Sequence, residues 1–354
     1  MPIEACRGIL NRIQVSPFAP PSVSAIALPL IHIGSVNAWL LRGDPLTLVD
    51  VGPADDVAYE ALRAGLRNEG VRLEDIELVL GTHHHLDHVG LAPAIREASG
   101  AEIALLGEAA DYVADGRAHI ERDRAYSHRL MSAHGVPAEV IADNESFWDF
   151  LRDNSSTFEP DIRLDDGDRV RAGGRELEVL ARPGHSRSDT LFVDHDAGEA
   201  FVGDHLLAGI SSNTEIVPLG EAEGERPRPR TEYLRNLERT ARLPMDVLYA
   251  GHGRPVKAHR ALVDVRIAEH RTRAARIAGA LLHRPQSAYG IAKRLWPERT
   301  VREQPLLVVW EVLGHLELLV SAGLAYESGD DNRPCFALTS RADPRSGRHR
   351  AGIR

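Results

Sequence analysis

The sequence predicts an α+β fold in layers, sheets inside and helices outside, followed by a smaller, mostly helical unit. Three observations carry this. Residues 1–257 alternate short β-branched runs with stretches of helical periodicity. Gly- and Pro-containing turns punctuate those runs. From residue 258 the pattern becomes almost entirely helical.

Residues 23–33 form an apolar, β-branched run. Residues 36–41 and 46–51 read as a hairpin around Arg42-Gly43-Asp44-Pro45. Residues 55–68 have helical spacing (Val57, Ala61, Leu62, Leu66) and stop at Gly70. A short buried strand at 76–80, a helix at 89–98 and a strand at 102–106 follow. Residues 109–158 turn helical, polar and aromatic, an insert carrying His119, Tyr126, His128, Phe147, Trp148 and Phe150. Strands return at 169–171, 177–180, 190–193 and 200–202, separated by the turn formers Asp166-Gly167 and Gly173-Gly174. A helix at 231–240 leads to a strand at 246–250. Beyond it lie helices at 261–282, 288–296 and 305–322, then a hairpin of 324–326 with 335–338 around Asp330-Asp331-Asn332. Three helices and a small hairpin make a winged-helix pattern. The expected organisation is therefore 1–257, 258–340 and a disordered basic tail, 341–354, with five Arg against Asp343.

Charge and cysteine content exclude several classes. Residues 258–354 carry 16 basic and 10 acidic side chains, net +6, which leaves −16 on the first 257. So acidic a body argues against nucleic acid as the main partner. Cys6 and Cys335 are the only cysteines, which argues against a disulfide scaffold or a thiolate zinc site and fits a reducing compartment. No apolar run approaches the roughly 20 residues that span a bilayer. The first twelve residues show no secretion signal, so the expectation is a cytoplasmic protein with no membrane partner. Both monomer and homo-oligomer stay open.

The unusual feature is histidine, 17 in all. Directly after the strand at 76–80 comes Thr82-His83-His84-His85-Leu86-Asp87-His88. A chain of this composition would contain H-x-H-x-D-H by chance about 0.003 times. In extended backbone residues i and i+2 point the same way, so His83 and His85 can converge on one ion. Asp87 and His88 follow a bend into a helix and can face a second. Imidazole with carboxylate suits Zn²⁺, and also Fe or Mn. His185, Asp204 and His252 each stand where a strand runs into a loop, beside Gly184, Gly203 and Gly251. Any one of them alone would more often be structural.

Together His83, His85, Asp87, His88, His185, Asp204 and His252 resemble the metallo-β-lactamase superfamily in its glyoxalase II-like branch. The likeness spans roughly residues 24–257. It includes Val36-Asn37-Ala38-Trp39-Leu40 and Leu48-Val49-Asp50-Val51-Gly52, which look like that family's opening strands and Asp-x-Gly turn. It implies an αββα sandwich and two divalent metal ions. His83, His85 and His185 would hold one ion, Asp87, His88 and His252 the other, and Asp204 would bridge both, with Asp50 behind the ligands. Glu269-His270-Arg271-Thr272-Arg273, Leu313-Gly314-His315-Leu316 and Gly323-Leu324 resemble the small winged-helix domain of some members, among them an endoribonuclease and polyketide thioesterases. Two departures stand out: Ser186-Arg187-Ser188-Asp189 where many relatives have small residues, and the long insert.

Two such ions can share a hydroxide, a strong nucleophile at neutral pH, and polarise the oxygen under attack. Asp87 and Asp204 would orient the water, and no G-x-S-x-G elbow is present. The leading expectation is a hydrolase of a thioester, ester or lactone, with a small-molecule or acyl-carrier substrate. A thiolate, with a pKa near 8.5, leaves without a general acid. The insert would then be a lid, with Tyr126, Phe147, Trp148 and Phe150 lining an acyl pocket. Arg226-Pro227-Arg228-Pro229-Arg230 could hold a carrier phosphate. The alternative is a metal-dependent endoribonuclease or phosphodiesterase, favoured by the winged-helix likeness and the tail but opposed by the −16 body. A relic hydrolase acting as a regulator, or a di-iron oxidoreductase, fits less well: all seven positions are filled, and no flavin domain is appended.

Overall fold

The computed structural model describes residues 22–30, 34–218, 226–329 and 333–339. Cys6, the end of the first strand run (31–33), the turn residues Asp330-Asp331-Asn332 and the 341–354 tail lie outside the described residues.

Two sheets face each other. The first has strand order β1 (Val23–Leu30), β2 (Gly34–Leu41), β3 (Thr47–Val49), β4 (Leu78–Gly81), β5 (Glu102–Leu106) and β6 (Ile162–Leu164). The first three are antiparallel, with Trp39 opposite Val49, and β3 to β6 are parallel. The second runs β11 (Val247–Ala250), β10 (Glu199–Gly203), β9 (Thr190–Asp194), β8 (Arg175–Ala181) and β7 (Arg169–Ala172). Strand β6 had no signal beforehand: three residues, Ile162-Arg163-Leu164, are too short for alternation to register.

Alternation along the strands explains the layers. Trp39, Leu41, Val49, Leu78 and Leu80 meet Leu177, Val179, Phe192 and Phe201 between the sheets. Ala38, Leu40, Leu48 and Val79 point the other way, onto helices α1 (Asp56–Asn68) and, beyond the one-turn α2 (Leu86–Val89), α3 (Ala92–Ser99). Asp55 caps α1, accepting from the Ala58 N–H at 2.8 Å. On the second sheet, Leu191, Val193, Ala200 and Val202 face outward. A helix at Pro229–Ala241 supplies Tyr233 and Leu237 to cover them, and one at His259–Ala280 supplies Val263. The expected αββα sandwich is therefore present.

The insert is four helices, α4 (Gly107–Ala114), α5 (Gly116–Ala133), α6 (Ala138–Ala142) and α7 (Glu145–Asn154). The two outer helices just named are α8 and α9. Past them come α10 (Ala288–Leu295), α11 (Glu298–Glu303), α12 (Pro305–Ser321) and the hairpin β12 (Ala325–Ser328) with β13 (Cys335–Leu338). Helix α11 was not read from the sequence, since six residues with a single buried apolar side chain, Val301, carry no period. The insert and the C-terminal helices share one core. Ile120, Leu130, Met131, Val140 and Trp148 pack with Ile277, Ile291, Val309, Leu313 and Phe336. Helix α9 joins both cores, giving Val263 to the sandwich and Ala274, Ile277 and Ala280 to the helical layer. Among the described residues no helix is long and apolar enough to cross a membrane.

His134, at the end of α5, is fully enclosed in this shared core, with its ring stacked 6.0 Å from Phe336 and its Nδ1 unpartnered. Burial, aided by the charge of Arg226, pulls it down to about 4. Below pH 6.5 the unfolded chain takes up a proton that the folded chain refuses until about pH 4. The stability from this ring is present above pH 6.5 and lost as pH falls through that window. His134→Gln should therefore lose less stability than wild type between pH 6.5 and 4, by on the order of 3 kcal/mol. Urea midpoints at half-unit pH steps measure the difference, and parallel pH profiles would disprove it.

Candidate metal centre

All seven sequence-predicted residues meet at one end of the two sheets. Strand β4 is buried along its length and stops at Gly81, which releases the chain into Thr82-His83-His84-His85 before α2 begins. Strand β8 runs into the loop carrying His185, β10 into Asp204 and β11 into His252. Close approach of these loops needs two glycines. Gly203 has φ +47°, and a Cβ there would meet Thr82 Oγ1 at 2.3 Å. A Cβ on Gly251 would lie 2.6 Å from both Asp204 Oδ1 and His88 Cε1.

His83 Nε2 lies 3.0 Å from His85 Nδ1, which lies 3.1 Å from His185 Nε2. His252 Nε2 stands 3.4 Å from an oxygen of Asp87 and 3.4 Å from Asp204 Oδ2. His88 Nε2 is 3.7 Å from Asp87 Oδ2 and 3.7 Å from Asp204 Oδ1. Asp204 Oδ2 also comes within 3.7 Å of His185 Nε2, so this carboxylate sits between the two histidine groups.

The outward nitrogen of each ring is held by an oxygen. His83 Nδ1 contacts Thr82 Oγ1 at 3.2 Å, and the Thr82 hydroxyl in turn donates to Asp50. The other four are N–H donors to acceptors: His85 Nε2 to Glu215 (2.7 Å), His88 Nδ1 to Asp50 (2.8 Å), His185 Nδ1 to the Asn213 carbonyl (3.0 Å) and His252 Nδ1 to the Ser35 carbonyl (2.8 Å). Each tautomer then turns a lone pair inward. With His85 Nδ1 within 3.1 Å of both other nitrogens, three such lone pairs repel unless a cation stands among them. His88 Nε2 and Asp204 Oδ1 are buried without any hydrogen-bond partner, a further sign that the donor set fits metal ions. The electrostatics agree. Burial opposes charge on His85, but Glu215, Asp87 and Asp204 outweigh it and hold the ring up to about 9. Burial likewise opposes charge on His252, but Asp204 and Asp87 hold it up to about 11. The carboxylates demand positive charge here.

Asp50 is 1% exposed and sits at φ +57°, a strained conformation for a residue with a Cβ. It accepts from the Thr82 N–H, the Thr82 hydroxyl and His88. The motif around Asn37 holds the last loop: Asn37 Nδ2 donates to the carbonyls of Ala250 and Gly253, and Trp39 Nε1 to that of Ala250. Ser186 and Ser188 shape the loops. Asp189 accepts from the N–H groups of His185 and Ser186 and from the Ser186 hydroxyl, while Ser188 Oγ binds His84. Arg187 lies over the Tyr112 ring of α4, 5.4 Å from its centre.

Some expectations are corrected. Trp148 and Tyr126 pack into the core shared with the C-terminal helices, and Phe147 and Phe150 are each 44% exposed. It is Tyr112 and His119, with Arg187, that the insert brings to the histidine loops. Of the three arginines in the Arg226–Arg230 run, Arg228 is exposed and the other two are engaged within the chain. Arg226 pairs with Glu327, and the fully buried Arg230 bonds Glu311 at 2.7 Å and Asn213 Oδ1 at 3.1 Å. Glu215 and Asn213 were not anticipated, because they lie in a loop without period or motif.

A family model described as the metallo-beta-lactamase superfamily matches residues 33–252. The chain is 31% identical over 306 residues to a probable metallo-hydrolase, YqjP, of Bacillus subtilis, covering 84% of this chain and 92% of the relative. It is 32% identical over 206 residues to a hydroxyacylglutathione hydrolase of Cereibacter sphaeroides, covering 58% of this chain and 56% of the relative. The crystal structure of TTHA1429, a metallo-beta-lactamase family protein from Thermus thermophilus, superposes with a TM-score of 0.74 at 27% identity, covering 90% of this chain and 99% of that one.

Glu215 fixes the tautomer of His85, so its removal tests how the rings are held. Glu215→Ala should weaken Zn²⁺ binding roughly 10- to 100-fold while the chain stays folded. Competition with a chromophoric chelator measures this, with circular dichroism as the control, and unchanged affinity would remove Glu215 from the arrangement.

Proposed function

The chain belongs to the metallo-β-lactamase superfamily of hydrolases, and on that premise we propose a dinuclear-metal hydrolase whose substrates are thioesters, with esters and lactones as lesser ones. The observation that carries the proposal is the inward turning of five imidazole nitrogens around Asp87 and Asp204. His83, His85 and His185 would hold one ion, Asp87, His88 and His252 the other, and Asp204 both. Zinc suits this nitrogen-rich set, and iron or manganese the carboxylates. When bound, two divalent ions supply activated water at neutral pH and polarise a carbonyl oxygen.

The chain's own residues do the rest. Asp87 and Asp204 accept hydrogen bonds from the attacking water and aim it. Both stay ionised: burial opposes their charge, but His88 and His252 hold them below the usual carboxylate range. Asp50, Glu215, Asn213 and Ser35 keep the rings from turning. Water gives a proton to solvent and adds as hydroxide to the acyl carbon. The carbon–sulfur bond breaks with its electron pair going to sulfur. The thiolate leaves without an acid from the protein, and the product acid releases its proton to solvent. The thioester preference is further supported by likeness to a protein named as a hydroxyacylglutathione hydrolase. We read 258–340 as a winged-helix-like unit that braces the site through Arg230 and Asn213.

Purified protein should carry close to two divalent ions per chain. His85→Ala should lose one ion and at least 10²-fold in kcat/KM, and Asp87→Ala at least as much activity. Metal analysis beside a panel of thioester, ester, lactone and RNA substrates measures this. Less than half an ion per chain after growth with zinc, iron and manganese would overturn the dinuclear reading, and metal-dependent RNA cleavage lost in His85→Ala would reverse the substrate ranking.

A further inference from the structure

Arg187 follows His185 by two positions in the loop after β8. The two share the open side of that loop: both are partly exposed, while Ser186 and Ser188 are buried. His85, Asp87 and His252 are partly exposed as well, so the metal centre meets solvent. The Tyr112 ring beneath Arg187 stacks on that of His84 at 3.9 Å, and the His84 ring lies 5.0 Å from that of His85. The guanidinium therefore stands at the rim of the centre, two rings away from a histidine of the ligand set.

Helix α5 brings a second guanidinium to the first. Arg122 and Arg187 converge on one atom, Nδ1 of His119, Arg122 in direct contact and Arg187 at 3.5 Å. Burial and the charges of the two arginines lower His119, so it is a neutral imidazole and adds no counter-charge. Arg187 otherwise donates to the Pro218 carbonyl at 3.1 Å, and Arg122 Nε is buried without a partner. Neither guanidinium makes an ion pair among the described residues. Asp123, next to Arg122 in the chain, accepts from the Tyr112 hydroxyl at 3.1 Å instead. Burial and the charge of Glu215 push Asp123 up to about 7, so it is only partly ionised at neutral pH. Two like charges gathered on one nitrogen repel unless an anion joins them. Their planar forks suit a carboxylate. A carboxylate in an amino-acid thiol arrives with an ammonium group, which this pair repels, whereas one at the end of an acyl chain arrives alone.

We propose that Arg122 and Arg187 bind a carboxylate at the far end of the acyl chain, so that the hydrolase prefers half-thioesters of dicarboxylic acids. This rests on the thioester reading above and adds the class of acyl group. The helical insert then takes part in substrate choice through Arg122, with Tyr112 and His119 holding the two guanidinium groups in place.

Succinate and butyrate differ by one carboxylate. Titrated calorimetrically into zinc-loaded full-length protein, succinate should bind about 10-fold tighter or more, and Arg122→Met should erase that preference. Arg122 is half-buried on a helix, so the variant should fold, with circular dichroism and zinc content as the checks. Equal binding of the two acids by the unmodified protein would overturn the proposal. In kinetics, the succinyl, glutaryl and adipoyl thioesters of N-acetylcysteamine are compared with uncharged acyl chains of the same length. At the best-fitting length the charged chain should be favoured about 10-fold or more in kcat/KM. Arg122→Met and Arg187→Met should each lower that ratio about 10-fold, mainly through KM. If thioesters are hydrolysed but no charged chain is favoured, or the ratio holds in either variant, the carboxylate assignment is overturned and the thioester reading stands. If no thioester is hydrolysed, the thioester reading falls with the proposal. Butyryl N-acetylcysteine carries its carboxylate on the leaving thiol. If that substrate, rather than the dicarboxylic ones, loses its advantage in Arg122→Met, the pair reads the leaving group and the proposal is overturned.

Discussion

Five imidazole rings point lone pairs at one another because their outward nitrogens are already spoken for. That constraint organises the protein. Asp50, Thr82, Glu215, the Asn213 carbonyl and the Ser35 carbonyl come from β2, β3, β4 and a loop of the second half. Two of these bonds, His85 to Glu215 and His252 to the Ser35 carbonyl, join the two halves of the sandwich, so both halves must be assembled before those two rings are fixed. The cost is visible locally, in the left-handed backbone of Asp50 and in two glycines that admit no side chain. It is offset by the burial of Leu48, Val49, Leu78 and Leu80 directly behind the loops.

Sequence patterning exposed the inward side of this arrangement far better than the outward side. His83, His85, Asp87 and His88 were legible because ligation by one loop imposes a local spacing. His185, Asp204 and His252 were legible through their shared position after a strand and beside glycine. Asp50 could be placed behind the ligands by its Asp-x-Gly context. Glu215 was invisible, since one glutamate in an aperiodic loop looks like any other. Asn213 was more so: it acts through its carbonyl, which every residue type has.

The layers were legible for a similar reason. Both faces of β4 are buried, so its sequence reads as an unbroken apolar run, while β6 and α11 are too short to carry a period. The insert shows the limit most sharply. Trp148 and Met131 signal burial, but composition cannot say against what, and the partners are Val309 and Leu313 rather than a substrate. Arg230 is a comparable case. It reads as one member of a solvated basic run, yet it is wholly enclosed and links Glu311 of α12 to the loop that steadies His185.

The shared helical core has a consequence for how the protein is made. Trp148 and Val309 belong to one core in the finished structure but stand 161 positions apart in the chain. At about 5–20 residues per second, a ribosome needs roughly 8–30 s to deliver the second after the first. Through that interval the insert helices lack the surface that covers them, and the first sheet is itself completed only when β6 has been made. Their apolar side is then the part of the nascent chain most in need of a chaperone.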